Sequence, residues 1–193
     1  MKNKNLHSFI TSITPIADQR VAEIASHFSE ISFRKNDFFL KEGTISNNYL
    51  FLEEGFMRAF TYDLDGNDVT TGFFGEKQIV FEVASYFMRA PSKENIQALM
   101  DCKGYYLTYE QLNGLFHSMP EFREFGRAIL VRGFVALKQR TLSMINDTAE
   151  KRYENLLSTN PEIFRNAPLK NIASYLGITD TSLSRIRKDL ART

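Results

Sequence analysis

Apolar residues recur along this chain with more than one period, and each period marks a different kind of element. From about Leu6 to Phe28, residues Ile10, Ile13, Val21, Ile24, Ala25 and Phe28 fall at helical spacing with Pro15 interrupting, which predicts two short helices. From Ile31 to Tyr109 the period shortens. Aromatic and β-branched runs at 31–33, 38–40, 49–52, 56–62, 69–74, 96–100 and 105–107 are separated by turn residues such as Lys35-Asn36-Asp37, Glu42-Gly43 and Glu54-Gly55. Many short strands at close spacing predict a sandwich or jelly roll.

Beyond Pro120 the helical period returns. It predicts a long helix over 121–145, roughly 35–40 Å in length at 1.5 Å per residue. Two apolar stripes run along it. One holds Leu130, Phe134, Leu137, Thr141 and Met144, and the other Phe122, Gly126, Ile129, Gly133 and Ala136. A lone surface helix needs one stripe, so the second implies another partner. The expectation is that one stripe packs on the β domain and the other on a second subunit, with Gly126, Ile129, Gly133 and Ala136 as the dimer face because small residues allow close helix approach. The alternative is that one chain buries both. An amphipathic helix follows over 148–167, with Tyr153, Leu156 and Leu157 on its apolar side and an end near Thr159-Asn160-Pro161.

The last stretch, 168–190, reads PLKNIASYLGITDTSLSRIRKDL. Leu169, Ile172, Ala173 and Leu176 set one helix face, Gly177 stops that helix, and Leu183, Ile186 and Leu190 set a second. Ala173 is small where two helices joined by a tight turn must cross. Thr179 is placed to cap the second helix, and Ile178 to fill the gap between the two. This is a helix-turn-helix pattern, forming with the preceding helix a three-helix module from about 148. Thr181, Ser182, Arg185 and Lys188 turn away from the apolar face, as hydroxyl and cationic groups suited to phosphates and base edges. The alternative is an ordinary helical hairpin whose outer face is merely solvated.

Charge and composition sharpen the picture modestly. The chain of 193 residues has a formal net charge of +1, yet from Pro168 onward it holds five Lys or Arg against two Asp, so the basic charge is local. Seventeen Phe and eight Tyr imply a large aromatic core. No signal-peptide-like start and no apolar run of about 20 residues is present, so a cytoplasmic protein without a membrane partner is expected. The single cysteine, Cys102, can form neither an intramolecular disulfide nor a thiolate cluster and reads as a small core hydrophobe. His7, His27 and His117 lack metal-binding spacing, and none lies in the strand region, so neither a metal site nor a cupin-like enzyme on the roll is expected. The run Asp63-Leu64-Asp65-Gly66-Asn67-Asp68 is no calcium loop: its sixth position is Asp68 and its twelfth Phe74, where Gly and Glu are required. Asp65-Gly66 predicts a hairpin turn instead.

The order of these parts, together with the runs FFLKEGTISNNYLFLEEGFMRAF and LKNIASYLGITDTSLSRIRKDL, resembles the Crp-Fnr superfamily of bacterial transcription regulators. The resemblance covers essentially the whole chain and implies an α+β fold. Residues 1–119 would be a cyclic-nucleotide-binding-like β-roll (a double-stranded β-helix or jelly roll), 120–147 a dimerisation helix, and 148–193 a helix-turn-helix domain. It implies a non-enzymatic, homodimeric regulator of double-stranded DNA that works with RNA polymerase. The base-reading positions fall on Asp180, Thr181 and Arg185, with Thr179, Ser182 and Lys188 beside them. A second reading within the resemblance is a cyclic-nucleotide-binding regulatory protein that acts on a protein partner.

Two departures from the family pattern bear on DNA reading. Asp180 stands where many members carry a basic residue, so a different half-site is expected. The chain ends at Thr193 without room for the β-hairpin wing that often follows, so DNA contact is expected to rest on the helix alone. A third departure concerns the ligand. The family holds the cyclic phosphate with a Gly-Glu pair, an Arg and a small hydroxyl residue. Here Glu82 matches the glutamate, while Phe81 replaces the glycine, Ser92 the arginine and Lys93 its neighbour. The roll is therefore expected not to bind cyclic AMP in the usual way, with Lys93 or Arg89 as candidate replacement cations, although lysine cannot reproduce an arginine fork. A pocket lined by Glu82, Ser92 and Lys93 would be vestigial or take another, unidentified small-molecule effector. No cofactor is expected.

Overall fold

The computed structural model describes residues 4–191. Helices α1 (Lys4–Ile13) and α2 (Asp18–Ser26) lead into the strands β1 (Ser29–Phe33), β2 (Phe38–Leu40), β3 (Asn48–Glu54), β4 (Met57–Tyr62), β5 (Asp68–Phe74) and β6 (Gln78–Val80). A short helix α3 (Val83–Met88), strands β7 (Asn95–Ala98) and β8 (Cys102–Thr108), and helix α4 (Tyr109–Ser118) complete the roll. The long helix α5 (Pro120–Asn146) then carries the chain to α6 (Ala149–Thr159), α7 (Pro161–Asn166), α8 (Leu169–Leu176) and α9 (Asp180–Leu190).

The strands form two antiparallel four-stranded sheets, in the orders β1-β8-β3-β6 and β2-β7-β4-β5. Alternation decides what lies between them. Leu50 and Leu52 from one sheet meet Leu40, Met57, Ala59, Ile96 and Ala98 from the other, with Val80 and the buried Cys102 filling the same layer. The opposite side of the first sheet, at Tyr49, Phe51 and Leu107, is covered by α1, α2, α4 and the start of α5 through Leu6, Ile10, Ile24, Leu112, Phe122 and Phe125. The β4–β5 hairpin closes at Gly66, whose φ of 80° suits glycine, and the Asp63 carboxylate accepts from the amides of Asp65 and Asn67.

Three elements were not marked by periodicity. Strand β6 and helix α3 are too short to show a period. Helix α4 begins at Tyr109 in a capping box, where the Thr108 hydroxyl and the Gln111 side chain satisfy each other's amides. The end module also holds four helices, α6 to α9, where three were expected: Pro161 starts a separate turn of helix because its ring cannot continue α6.

Candidate nucleic-acid interface and effector pocket

The helix-turn-helix is built as its sequence dictates. Gly177 ends α8 in the left-handed region, at φ 67°, and the Ile178 amide reaches back to the Ala173 carbonyl at 3.0 Å. Ile172, Ala173 and Leu176 of α8 pack with Leu183 and Ile186 of α9, while Leu190 lies at the rim, 37% exposed. The Thr179 hydroxyl accepts from the Ser182 amide at 3.2 Å and donates to the Ser182 hydroxyl at 3.0 Å. This cap sets the direction of α9 and leaves Ser182 a hydroxyl hydrogen for an outside acceptor.

With the apolar side of α9 fixed inward, Asp180, Thr181, Arg185 and Lys188 stand exposed, next to the exposed cap Thr179 and the half-buried Ser182. The expected reading residues thus share one outer edge of the molecule. An anion at the helix start can accept from exocyclic amines of bases, and a guanidinium one turn on can take the O6/N7 edge of guanine.

The nominated effector residues are arranged differently. The Glu82 carboxylate caps α3, accepting from the amides of Ala84 at 3.0 Å and Ser85 at 2.6 Å. Ser92 is buried, and its hydroxyl is closed on residue 94, donating to the carbonyl and accepting from the amide. Lys93 is exposed. Phe81 sits in an aromatic cluster, tilted against Tyr49 and edge-to-face with Tyr86 and Phe87, at centroid distances of 5.1, 5.5 and 6.0 Å. Burial pushes the Tyr49 and Tyr86 phenols up, so both are neutral. Arg89 is no spare cation: its guanidinium donates to the Ser46 carbonyl and the Asn47 side chain and lies 4.0 Å over the Tyr109 ring.

The dimer face nominated from the sequence needs correction. Gly126 is closed within the chain, because a Cβ there would stand 2.6 Å from the Phe116 ring, and Ile129 packs against the N-terminal core. Gly133 and Ala136 are exposed, and nothing lies within 4 Å of the Gly133 position. It is the other stripe that stands open, with Leu130 37%, Phe134 70% and Leu137 60% exposed, flanked by Val131, Val135 and Ile145. The two stripes are offset by one residue, about 100° around the helix, and only the packing of α4 and α1 decides which turns inward.

A third group was not read from the sequence. Arg58 of β4 is 4% exposed on the outer side of its sheet. Its guanidinium meets the Asp68 carboxylate at 2.7 Å and the Thr70 hydroxyl at 2.8 Å and stacks 4.5 Å from the Phe60 ring centroid. Asp68 also reaches Lys170 of α8 at 3.5 Å, and the Thr70 amide donates to the Ser174 hydroxyl at 2.8 Å. Burial would raise the Asp68 carboxyl, but Arg58 and Lys170 outweigh it and hold it below its ordinary value. Phe56 of the roll enters the core of the end module, with Phe73 and Leu99 packed against it. The end module is thus docked on the second sheet. A strand residue such as Arg58 reads as an ordinary outward polar group until α8 covers it.

Comparisons with known proteins agree with this architecture. Residues 30–119 match the cyclic nucleotide-binding domain family. No curated protein matches the sequence. Among solved structures, FixK2 from Bradyrhizobium japonicum is similar with a TM-score of 0.73 at 17% identity, over 86% of this chain and 85% of that one. The c-di-GMP-responsive global regulator CLP of Xanthomonas campestris gives 0.70 at 16%, over 91% and 92%. The catabolite activator protein of Thermus thermophilus gives 0.59 at 18%, over 95% and 87%. Residues 30–119 thus match a cyclic nucleotide-binding domain, and the chain as a whole shares with these solved structures the fold of roll, long helix and helical end module.

Proposed function

We propose that this chain is a DNA-binding transcription regulator, not an enzyme, that reads DNA as a homodimer through α9. The observation that carries this reading is the outer edge of α9, where Asp180, Thr181, Arg185 and Lys188 are exposed while Leu183 and Ile186 anchor the helix. Two such helices must lie about 34 Å apart to enter successive major grooves, which calls for two copies. The open stripe Leu130, Phe134 and Leu137 of α5 is the surface on which a second copy fits. RNA polymerase is the natural partner of such a regulator and the cytoplasm its place of work; among the described residues no helix is long and apolar enough to cross a membrane.

The roll, in this reading, does not take cyclic AMP in the usual way. Glu82 and Ser92 are engaged with backbone, Arg89 is held elsewhere, and Phe81 sits in an aromatic cluster, so a cyclic phosphate would find no free buried cation among them. A titration against random duplex at low and moderate salt tests the main reading. Binding whose logarithm falls linearly with the logarithm of salt supports it, and the absence of any duplex binding by the dimer refutes it.

A further inference from the structure

The β4–β5 pairing contains a bulge. Ala59 pairs with Gly72 and Phe60 with Thr70, so Thr71 is the extra residue. Its carbonyl is taken by a side chain from a different part of the chain. Arg140 of α5 donates to the Thr71 carbonyl at 3.2 Å with one guanidinium nitrogen and to the Tyr175 carbonyl of α8 at 3.1 Å with the other. Its guanidinium also stacks on the Tyr175 ring at 4.2 Å, and that ring lies 5.3 Å from Phe73 of β5.

The acceptor on α8 is one of the unpaired carbonyls of that helix's last turn, where the helix dipole favours a cation. The next one is treated alike: Arg152 donates to the Leu176 carbonyl at 3.0 Å. The turn that aims α9 begins one residue later, at Gly177. One rigid, planar fork therefore touches the roll, the long helix and the base of the helix-turn-helix at once. Glu94, the residue just before β7, forms no ion pair with the same guanidinium and feels it only as a weak attraction, the smallest influence on its carboxyl.

We propose that Arg140 is the coupling residue of this protein: it joins the bulge of β5 to the C-terminal end of α8, so that a change in the roll is delivered to the helix-turn-helix. In its consequence for DNA the proposal rests on the function proposed above. The joint itself is independent of that function. Lysine cannot serve both carbonyls in the same way, because its ammonium is a point donor on a flexible stem.

The experiment is hydrogen exchange on the full chain, in the wild type, Arg140→Lys, Arg140→Gln, Glu94→Gln and the double variant Glu94→Gln/Arg140→Gln. Losing two hydrogen bonds from a charged group predicts exchange at least about tenfold faster in the amides of α8 and the first turn of α9 in Arg140→Gln, with a smaller rise in Arg140→Lys. The amides of α1, β1 and β8 stay unchanged. Glu94→Gln alters α8 exchange in the wild-type background and not in the Arg140→Gln background. Unchanged α8 exchange in Arg140→Gln overturns the proposal, as does a uniform rise over the whole chain or a Glu94→Gln effect that persists without Arg140. Should Arg140→Gln fail to fold, the same local-against-uniform comparison is made on Arg140→Lys. A duplex titration of the same proteins separates the two readings: wild type that fails to bind DNA sinks the proposed function, while the exchange pattern still decides the joint.

Discussion

The open stripe of α5 gives the most direct quantitative test. Phe134 is 70% exposed in the single chain. A phenylalanine carries roughly 200 Å² of surface, so about 140 Å² stands open at this residue. Covering it with a second copy is worth about 3–4 kcal/mol per protomer at about 25 cal/mol per Å². Truncation to alanine forfeits about two-thirds of that, and twofold symmetry makes the loss count twice, giving about 4–5 kcal/mol for the dimer. Reduced ordering costs at the interface return part of it, so Phe134→Ala is expected to raise the dimer dissociation constant by about 10²–10³ at about 1.4 kcal/mol per tenfold. Because the ring touches little within its own chain, the far-ultraviolet spectrum and melting of the monomer stay as they were. Sedimentation equilibrium from nanomolar to tens of micromolar protein measures both. A wild type that stays at the 22.3 kDa monomer mass throughout, or a Phe134→Ala variant as dimeric as the wild type, refutes the reasoning.

Other perturbations separate the parts of the molecule. Gly133→Ala meets nothing within 4 Å and should leave the monomer as stable or up to about 1 kcal/mol more stable through helix propensity, whereas Gly126→Ala drives a methyl into Phe116 and should cost about 1–3 kcal/mol in thermal unfolding. Asp68→Asn leaves Arg58 buried without its anion and should destabilise the chain by on the order of 2–3 kcal/mol near neutral pH in urea titrations, at the low end for a buried pair because the Asp68 side chain keeps 27% exposure. The Asp68 carboxyl is held low in the folded state, so its contribution is present above the ordinary carboxylate range and lost as pH falls through the folded value; the wild-type advantage over Asp68→Asn should vanish in acid. Burial, and then Glu82, pushes the Glu94 carboxyl up against the pull of Thr71 and Arg140, which reverses the sign: Glu94→Gln should gain on the wild type as pH rises through that range, seen as a melting-temperature difference that grows from pH 4 to 7. Arg185→Ala should weaken discrimination between duplexes by about 1–3 kcal/mol, whereas Lys188→Ala should lower affinity evenly and reduce the salt slope by about one unit, both read in mobility shifts.

The sequence made local structure legible and left contacts between distant segments hidden. Helix ends at Gly177 and Thr179, the hairpin at Asp65-Gly66 and the strand runs from Phe38 to Tyr62 all follow from residues within a few positions of one another. The direction of each α5 stripe does not, because Phe116 of α4 and the N-terminal core choose it. The same holds for Arg58. On its strand it alternates with Met57 and Ala59 as any solvated cation would, and only the arrival of Lys170 and Ser174, more than a hundred residues away, makes it a buried charge at a domain junction.

The roll therefore has two faces with opposite electrostatic demands. On the α8 side, Arg58 and Arg140 each find acceptors on β5: the Asp68 carboxylate and Thr70 hydroxyl for one, the bulged Thr71 carbonyl for the other. On the side of α3, Glu82 satisfies helix amides, and Glu94, placed between the two sides, resists ionisation. An anion entering beside α3 would compete with Glu82 for those amides and face Glu94 across a partly dry interior, where like charges repel far more than in water.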